Sequence, residues 1–102
     1  MLFPCLTPHS PPQDANLAES LLTSTPFPIS VELLKLSKEK YGSIRRFYIM
    51  LMKDRLFLPE YQEYTINQNT PEKVFIMLAS DHSPFFSQPD QLCNLLIHIA
   101  TL

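Results

Sequence analysis

The sequence predicts an α/β fold built on a βαβ unit, and three observations carry that prediction. Two apolar runs, Phe47 to Met52 and Val74 to Leu78, are continuous, β-branched and aromatic rather than alternating, which suits strands buried on both faces of a parallel sheet. Between them lies a segment of helical character, roughly Pro59 to Asn69, so the strands should run parallel with a right-handed crossover. Each run is followed within a few residues by an ionisable group, Asp54 after the first and Asp81-His82 after the second. Parallel strands end at one edge, which places Asp54 and His82 on the same carboxyl-end rim, where open α/β sheets build their sites.

In chain order, Met1 to Thr7 shows no period. Ser10-Pro11-Pro12-Gln13 reads as a helix start, with Ser10 at the N-cap, prolines in the first turn and Gln13 as a capping-box partner. That helix runs to about Leu22, with Leu17, Ala18 and Leu21 on one face. Pro26 and Pro28 mark a loop. Residues 31–40 fit a short helix or an irregular strand equally. Tyr41-Gly42-Ser43 is a turn, with Gly42 expected at a helix C-terminus or at positive φ. Pro59 is acceptable as the first residue of the crossover helix, which carries Tyr61, Tyr64, Thr65 and Gln68 on one face and stops before Pro71. His82 to Phe86 reads as a loop. Ser87 then caps a last helix whose Leu92, Leu95, Leu96 and Ile99 share one face and must pack on the sheet.

Composition bounds the function. A chain of 102 residues has room for one small domain. With 8 basic and 10 acidic residues and a net charge of −2, nothing points to nucleic acid or to an anionic membrane surface. The one basic cluster, Arg45-Arg46, reads as a solvated start to a strand. No apolar run is long enough to span a bilayer, and the N-terminus has no basic region of the secretory kind. With neither feature a cytoplasmic location is expected; Cys5 and Cys93 have no metal-ligand spacing and read as free thiols in a reducing compartment. Ten prolines stand against a single glycine. Turns and oxyanion loops need glycine, which suggests that the glycine-rich part of a larger protein is absent.

Asp54 and His82 are the candidates for chemistry. An acid beside an imidazole fixes its tautomer and stabilises the ring when it takes a proton. Asp81 reads as a turn or cap residue, His98 as structural on an apolar helix face, and His9 as incidental. Ser83 adjoins His82 in sequence, and a residue adjacent to its own base is rarely where base and oxyanion donors converge. A Gly-x-Ser-x-Gly elbow needs two glycines, and Gly42 stands alone. No metal and no organic cofactor is implied.

Several motifs recur together and in order. They are Asp54-Arg55-Leu56-Phe57-Leu58-Pro59-Glu60-Tyr61-Gln62, then Asn69-Thr70-Pro71-Glu72-Lys73-Val74, Ser80-Asp81-His82 and Ser87-Gln88-Pro89, preceded by Ser10-Pro11-Pro12-Gln13-Asp14 and Tyr41-Gly42-Ser43-Ile44. From Ser10 onward the chain resembles the C-terminal third of the plant methylesterase and hydroxynitrile lyase family of α/β-hydrolases. The resemblance implies a partial α/β-hydrolase fold: its last two parallel strands with flanking helices. Residues 41–102 would be this C-terminal part of the core, and residues 1–40 the end of the helical cap. It also implies that Asp54 is the triad acid and His82 the triad base, the nucleophilic serine and oxyanion donors lying in a part this chain does not contain. The implied activity is hydrolysis of methyl esters of small hormone acids such as salicylate, jasmonate or indole acetate. Tyr64 stands where tryptophan is usual and Ala79 where glycine is common. Ser83 stands where the lyases carry a lysine, which argues against lyase chemistry. A catalytically inactive truncated homologue, or a partner-binding remnant, is the alternative reading, and hydroxynitrile lyase the third. The expected partner is a small methyl ester, with self-association through an exposed sheet edge.

Overall fold

The computed structural model describes residues 6–24 and 33–102. Cys5, Pro26, Pro28 and residues 31–32 lie outside the described residues. Helix α1 spans Pro12–Leu21. A 3₁₀ turn at Tyr41–Ser43 leads into β1, Phe47–Leu51. Helix α2, Pro59–Gln68, crosses to β2, Lys73–Met77, and a short α3, Pro84–Ser87, precedes α4, Pro89–Ala100. Proline opens each of these four helices, where its missing N–H is no loss and its fixed φ suits the first turn.

The two strands pair in parallel, Phe47 opposite Lys73 through Leu51 opposite Met77. The pairing continues past both ends: Glu72 N–H donates to the Arg46 carbonyl at 2.9 Å, and Met52 N–H to the Met77 carbonyl at 3.1 Å. Along a strand, peptide groups alternate sides. Arg46 and Met52 face β2, so Phe47, Ile49 and Leu51 direct theirs to the other edge. No strand among the described residues pairs with that edge.

The expectation of strands buried on both faces is not met. Every residue of β1 is half-buried, and in β2 only Met77 is fully enclosed. Ile76 and Leu78 remain 55% and 71% exposed. Leu92, Leu95 and Ile99 of α4 are half-buried as the periodicity requires, but Leu96 is exposed. His98 packs edge-on against Phe75, ring centroids 5.9 Å apart.

Local expectations are corrected at several points. Residues 33–40 form neither helix nor strand. Gly42 does not adopt positive φ, and a Cβ there would meet only ordinary contacts at 3.6 Å. Ser10 is not a helix cap and Ser87 does not cap α4, whose cap position is Gln88. Both hydroxyls are used elsewhere, as shown below. Arg45 and Arg46 are not merely solvated. Arg45 Nε donates to Glu72 Oε2 at 2.9 Å, and Arg46 Nη2 donates to Asn69 Oδ1 at 2.9 Å, tying the start of β1 to the turn before β2.

Candidate functional site

Asp54 lies three residues past β1 and His82 five past β2, and the parallel register brings them together. Nδ1 of His82 is 2.8 Å from Asp54 Oδ2. A carboxylate can only accept, so Nδ1 carries the hydrogen and Nε2 is left for a reacting group. Asp54 is 4% exposed. Its other oxygen, Oδ1, accepts the N–H groups of Leu56 and Phe57, each at 2.9 Å. Three donors therefore fix the carboxylate, two from its own loop and one, the imidazole, from the loop that follows β2.

The loop that carries Asp54 is itself held by a residue the sequence did not single out. Gln62, on α2, is 2% exposed. Its Oε1 accepts the Leu51 N–H, and its Nε2 donates to the carbonyls of Leu51 and Phe57, all at 2.8 Å. The side chain thus occupies the outward peptide group at the end of β1, as a neighbouring strand would. Tyr61 and Tyr64, which share one face of this helix, are 57% and 63% exposed.

The loop that carries His82 is knitted by serines. Ser80 is fully buried, and its hydroxyl lies 3.1 Å from that of Ser87, which donates to the Ser83 carbonyl at 3.2 Å. Asp81 is also fully buried. It accepts the Ser83 N–H at 2.9 Å, the turn role expected of it. It also accepts the His9 N–H and the Ser10 hydroxyl, each at 2.9 Å. Only the backbone N–H of His9 takes part in this anchor, a donor that any residue but proline supplies. The loop expected over residues 82–86 contains the helix α3, where Phe85 and Phe86 meet edge to face at 4.7 Å.

A cleft of about 430 Å³ opens beside the histidine. Leu6, Ala18, Leu21 and Leu22 line it from the N-terminal side, Phe85 and Phe86 from α3, and His82 and Ser83 from the rim. A larger cleft of about 550 Å³ lies at the opposite end of the strands, between Arg45, Arg46, Tyr48 and Ile66. It contains neither Asp54 nor His82, and both of its arginines already have partners. The rim cleft is therefore the candidate site. Tyr48 has its phenol pushed up by burial and, less strongly, by the charge of Asp54. Among the described residues no three His, Cys, Asp or Glu side chains gather as metal ligands.

Such an arrangement can move a proton to and from a group placed in an apolar cleft. Comparisons with known proteins bear on which chemistry that is. No family model matches the chain. It is 46% identical over 95 residues to Arabidopsis thaliana methylesterase 15, covering 92% of this chain and 21% of that protein. It is 39% identical over 93 residues to methyl jasmonate esterase 1 of Vitis vinifera, covering 88% of this chain and 36% of the relative. The crystal structure of polyneuridine aldehyde esterase superposes with a TM-score of 0.87 at 28% identity, covering 97% of this chain and 40% of that one. Tomato methylketone synthase I, solved with 2-tridecanone, superposes with a TM-score of 0.80 at 31% identity, covering 98% and 40%. The chain therefore spans well under half the length of each.

The expected cytoplasmic location is overturned by this comparison. Five of the Arabidopsis relatives, methylesterases 11 to 15, are named as chloroplastic. The features read from the sequence, a basic secretory region and a long apolar run, concern secretion and membrane insertion. Plastid import depends on a Ser-rich, acid-poor leader instead, so those features could not decide the compartment. No helix among the described residues is long and apolar enough to cross a membrane.

Proposed function

The chain is a relative of the plant methylesterases, and its two-stranded parallel sheet with flanking helices is part of the α/β-hydrolase esterase fold; from that premise we propose that it supplies the base and the acid of a carboxylic-ester hydrolase. The observation that carries the reading is the 2.8 Å contact of His82 Nδ1 with Asp54 Oδ2, beside the apolar cleft. Nε2 of His82 takes the proton of a serine hydroxyl as its oxygen bonds to the ester carbonyl carbon. It returns that proton to the alkoxide oxygen as the bond to methanol breaks, and repeats both steps with water to release the acid. Asp54 holds the ring in the Nδ1–H tautomer and offsets its charge when both nitrogens are protonated. With one glycine, this chain contains no Gly-x-Ser-x-Gly turn, and the nucleophile belongs to the part of a methylesterase that it does not span.

In this reading residues 41–102 are the core rim and residues 1–40 the end of the cap that closes over it. The acid half of the substrate has an apolar body, since aliphatic side chains and two phenylalanines line the cleft. Methyl jasmonate, the substrate named for the Vitis relative, is of that class, as are methyl salicylate and methyl indole acetate. The compartment is the chloroplast, by analogy with the relatives named for it.

The test joins this chain to the upstream part of a methylesterase and measures methanol release from those three esters. Activity should fall by about 10³-fold or more with His82→Ala and also with Asp54→Asn, which leaves the wrong tautomer. The chain alone should not exceed its own His82→Ala control. An active chimera indifferent to either substitution would refute the assignment.

A further inference from the structure

Asp81 is fully buried and has no part in the reaction above. Its two oxygens serve two distant stretches of chain. Oδ1 accepts the Ser83 N–H at 2.9 Å, closing a turn whose middle residue is His82. Oδ2 accepts the His9 N–H and the Ser10 hydroxyl, each at 2.9 Å. We propose that Asp81 is a positioning residue that sets His82 against Asp54 and couples that setting to the seating of residues 7–10 and α1.

The geometry supplies both halves of the coupling. His82 stands between the backbone of Asp81 and the N–H that Asp81 holds, so a displaced carboxylate redirects the Cα–Cβ bond of His82 and alters the Asp54 contact. On the other side, Ser10 leads directly into α1, whose Ala18 and Leu21 line the cleft with His82. Thr7, buried at 8% exposure, lines it too. Lifting this segment strips Oδ2 of both its donors, and a buried carboxylate with vacant lone pairs will move to recover them. A molecule that presses α1 onto the cleft therefore also fixes the imidazole. The inference depends on the proposed function only for its consequence in catalysis, because the histidine can be observed directly.

The experiment uses the full chain labelled with ¹⁵N. Imidazole ¹H–¹⁵N correlations report the His82 tautomer and its Nδ1–H resonance, and amide exchange reports α1. Asp81→Asn keeps an oxygen for Ser83 but sets an NH₂ against the His9 N–H, donor against donor. Ser10→Ala removes one donor only. At temperatures where far-UV circular dichroism matches the wild type, Asp81→Asn should lower amide protection in α1 by about tenfold or more and mix the His82 tautomers. Ser10→Ala should do both to a smaller degree. Asp14→Asn, a control on the same helix, should do neither. Loss of α1 protection with an unchanged His82 signal would overturn the proposal, leaving Asp81 as an anchor alone. So would a changed His82 with α1 intact, or no change in either. If Asp81→Asn does not fold, Ser10→Ala decides on the same two signals. None of these signals uses ester turnover, so failure of the hydrolase assignment is distinguishable from failure of this one.

Discussion

Replacing Gln62 with leucine asks how the rim that carries Asp54 is held. The side chain is 2% exposed and makes three hydrogen bonds of 2.8 Å, two to Leu51 and one to Phe57. Leucine fills similar space and makes none of them. A neutral hydrogen bond is worth about 0.5–1.5 kcal/mol net, and a buried group left unsatisfied costs about 1–3 kcal/mol. Leu51 is half-buried and Phe57 is exposed at 37%, so water can reach some of the vacated groups. The loss should therefore lie near the middle of the range, about 2–3 kcal/mol. Native domains carry about 5–15 kcal/mol in all, and a sheet of two strands belongs at the low end, so this is a large fraction of the total. Urea unfolding followed by circular dichroism should show a midpoint lower by about 1–2 M, at the slopes of about 1–3 kcal/mol per M usual for small domains. Gln68→Leu, exposed on the same helix, should stay within about 0.5 kcal/mol of the wild type. Equal midpoints for the two variants would mean that solvent replaces the Gln62 amide at no cost, and the account of the rim would be wrong.

Two further outcomes follow from the strands and their amino-terminal end. No described strand pairs with the outer edge of β1, where Phe47 and Ile49 direct their peptide groups, and such edges associate; size-exclusion chromatography should show species larger than a monomer, shifted toward monomer by Ile49→Lys, and a monomer at all concentrations would contradict this. Arg45 beside Glu72 holds the glutamate carboxyl below the usual carboxylate range. Because the folded-state pKa is the lower one, the stabilisation is complete above the ordinary pKa of the acid and is lost as pH falls through the lowered value. The excess in melting temperature of the wild type over Glu72→Gln should therefore be small, since the pair is exposed, should vanish on acidification, and should shrink with salt. An excess that does not vary with pH would exclude the ion pair as its source.

What was legible in the sequence was what the backbone alone decides. Two continuous apolar runs with a helix between them make parallel strands, and parallel strands end on one rim, so topology alone puts Asp54 and His82 on the same edge. The 27 residues between them hold a complete crossover, which returns the chain to the same rim. Side-chain placement was not legible, for a physical reason. Gln62, Ser80 and Asp81 are polar residues in polar-looking segments, and a hydrophobic pattern assigns such residues to solvent. Each is buried because it satisfies peptide groups or donors that tertiary structure brings to it. For Asp81 the donors His9 and Ser10 lie 72 and 71 residues away in the chain. The same limit holds at Ser10 and Ser87, where a serine before a helix suggests a cap but a more distant partner claims its hydroxyl. The sequence thus yields the pair proposed to move the proton and the turn at Asp81, but neither Gln62 nor the distant donors that Asp81 holds. In the proposed reaction a histidine 2.8 Å from an aspartate would work as a base only while Gln62 fixes the loop on one side and Asp81 the loop on the other.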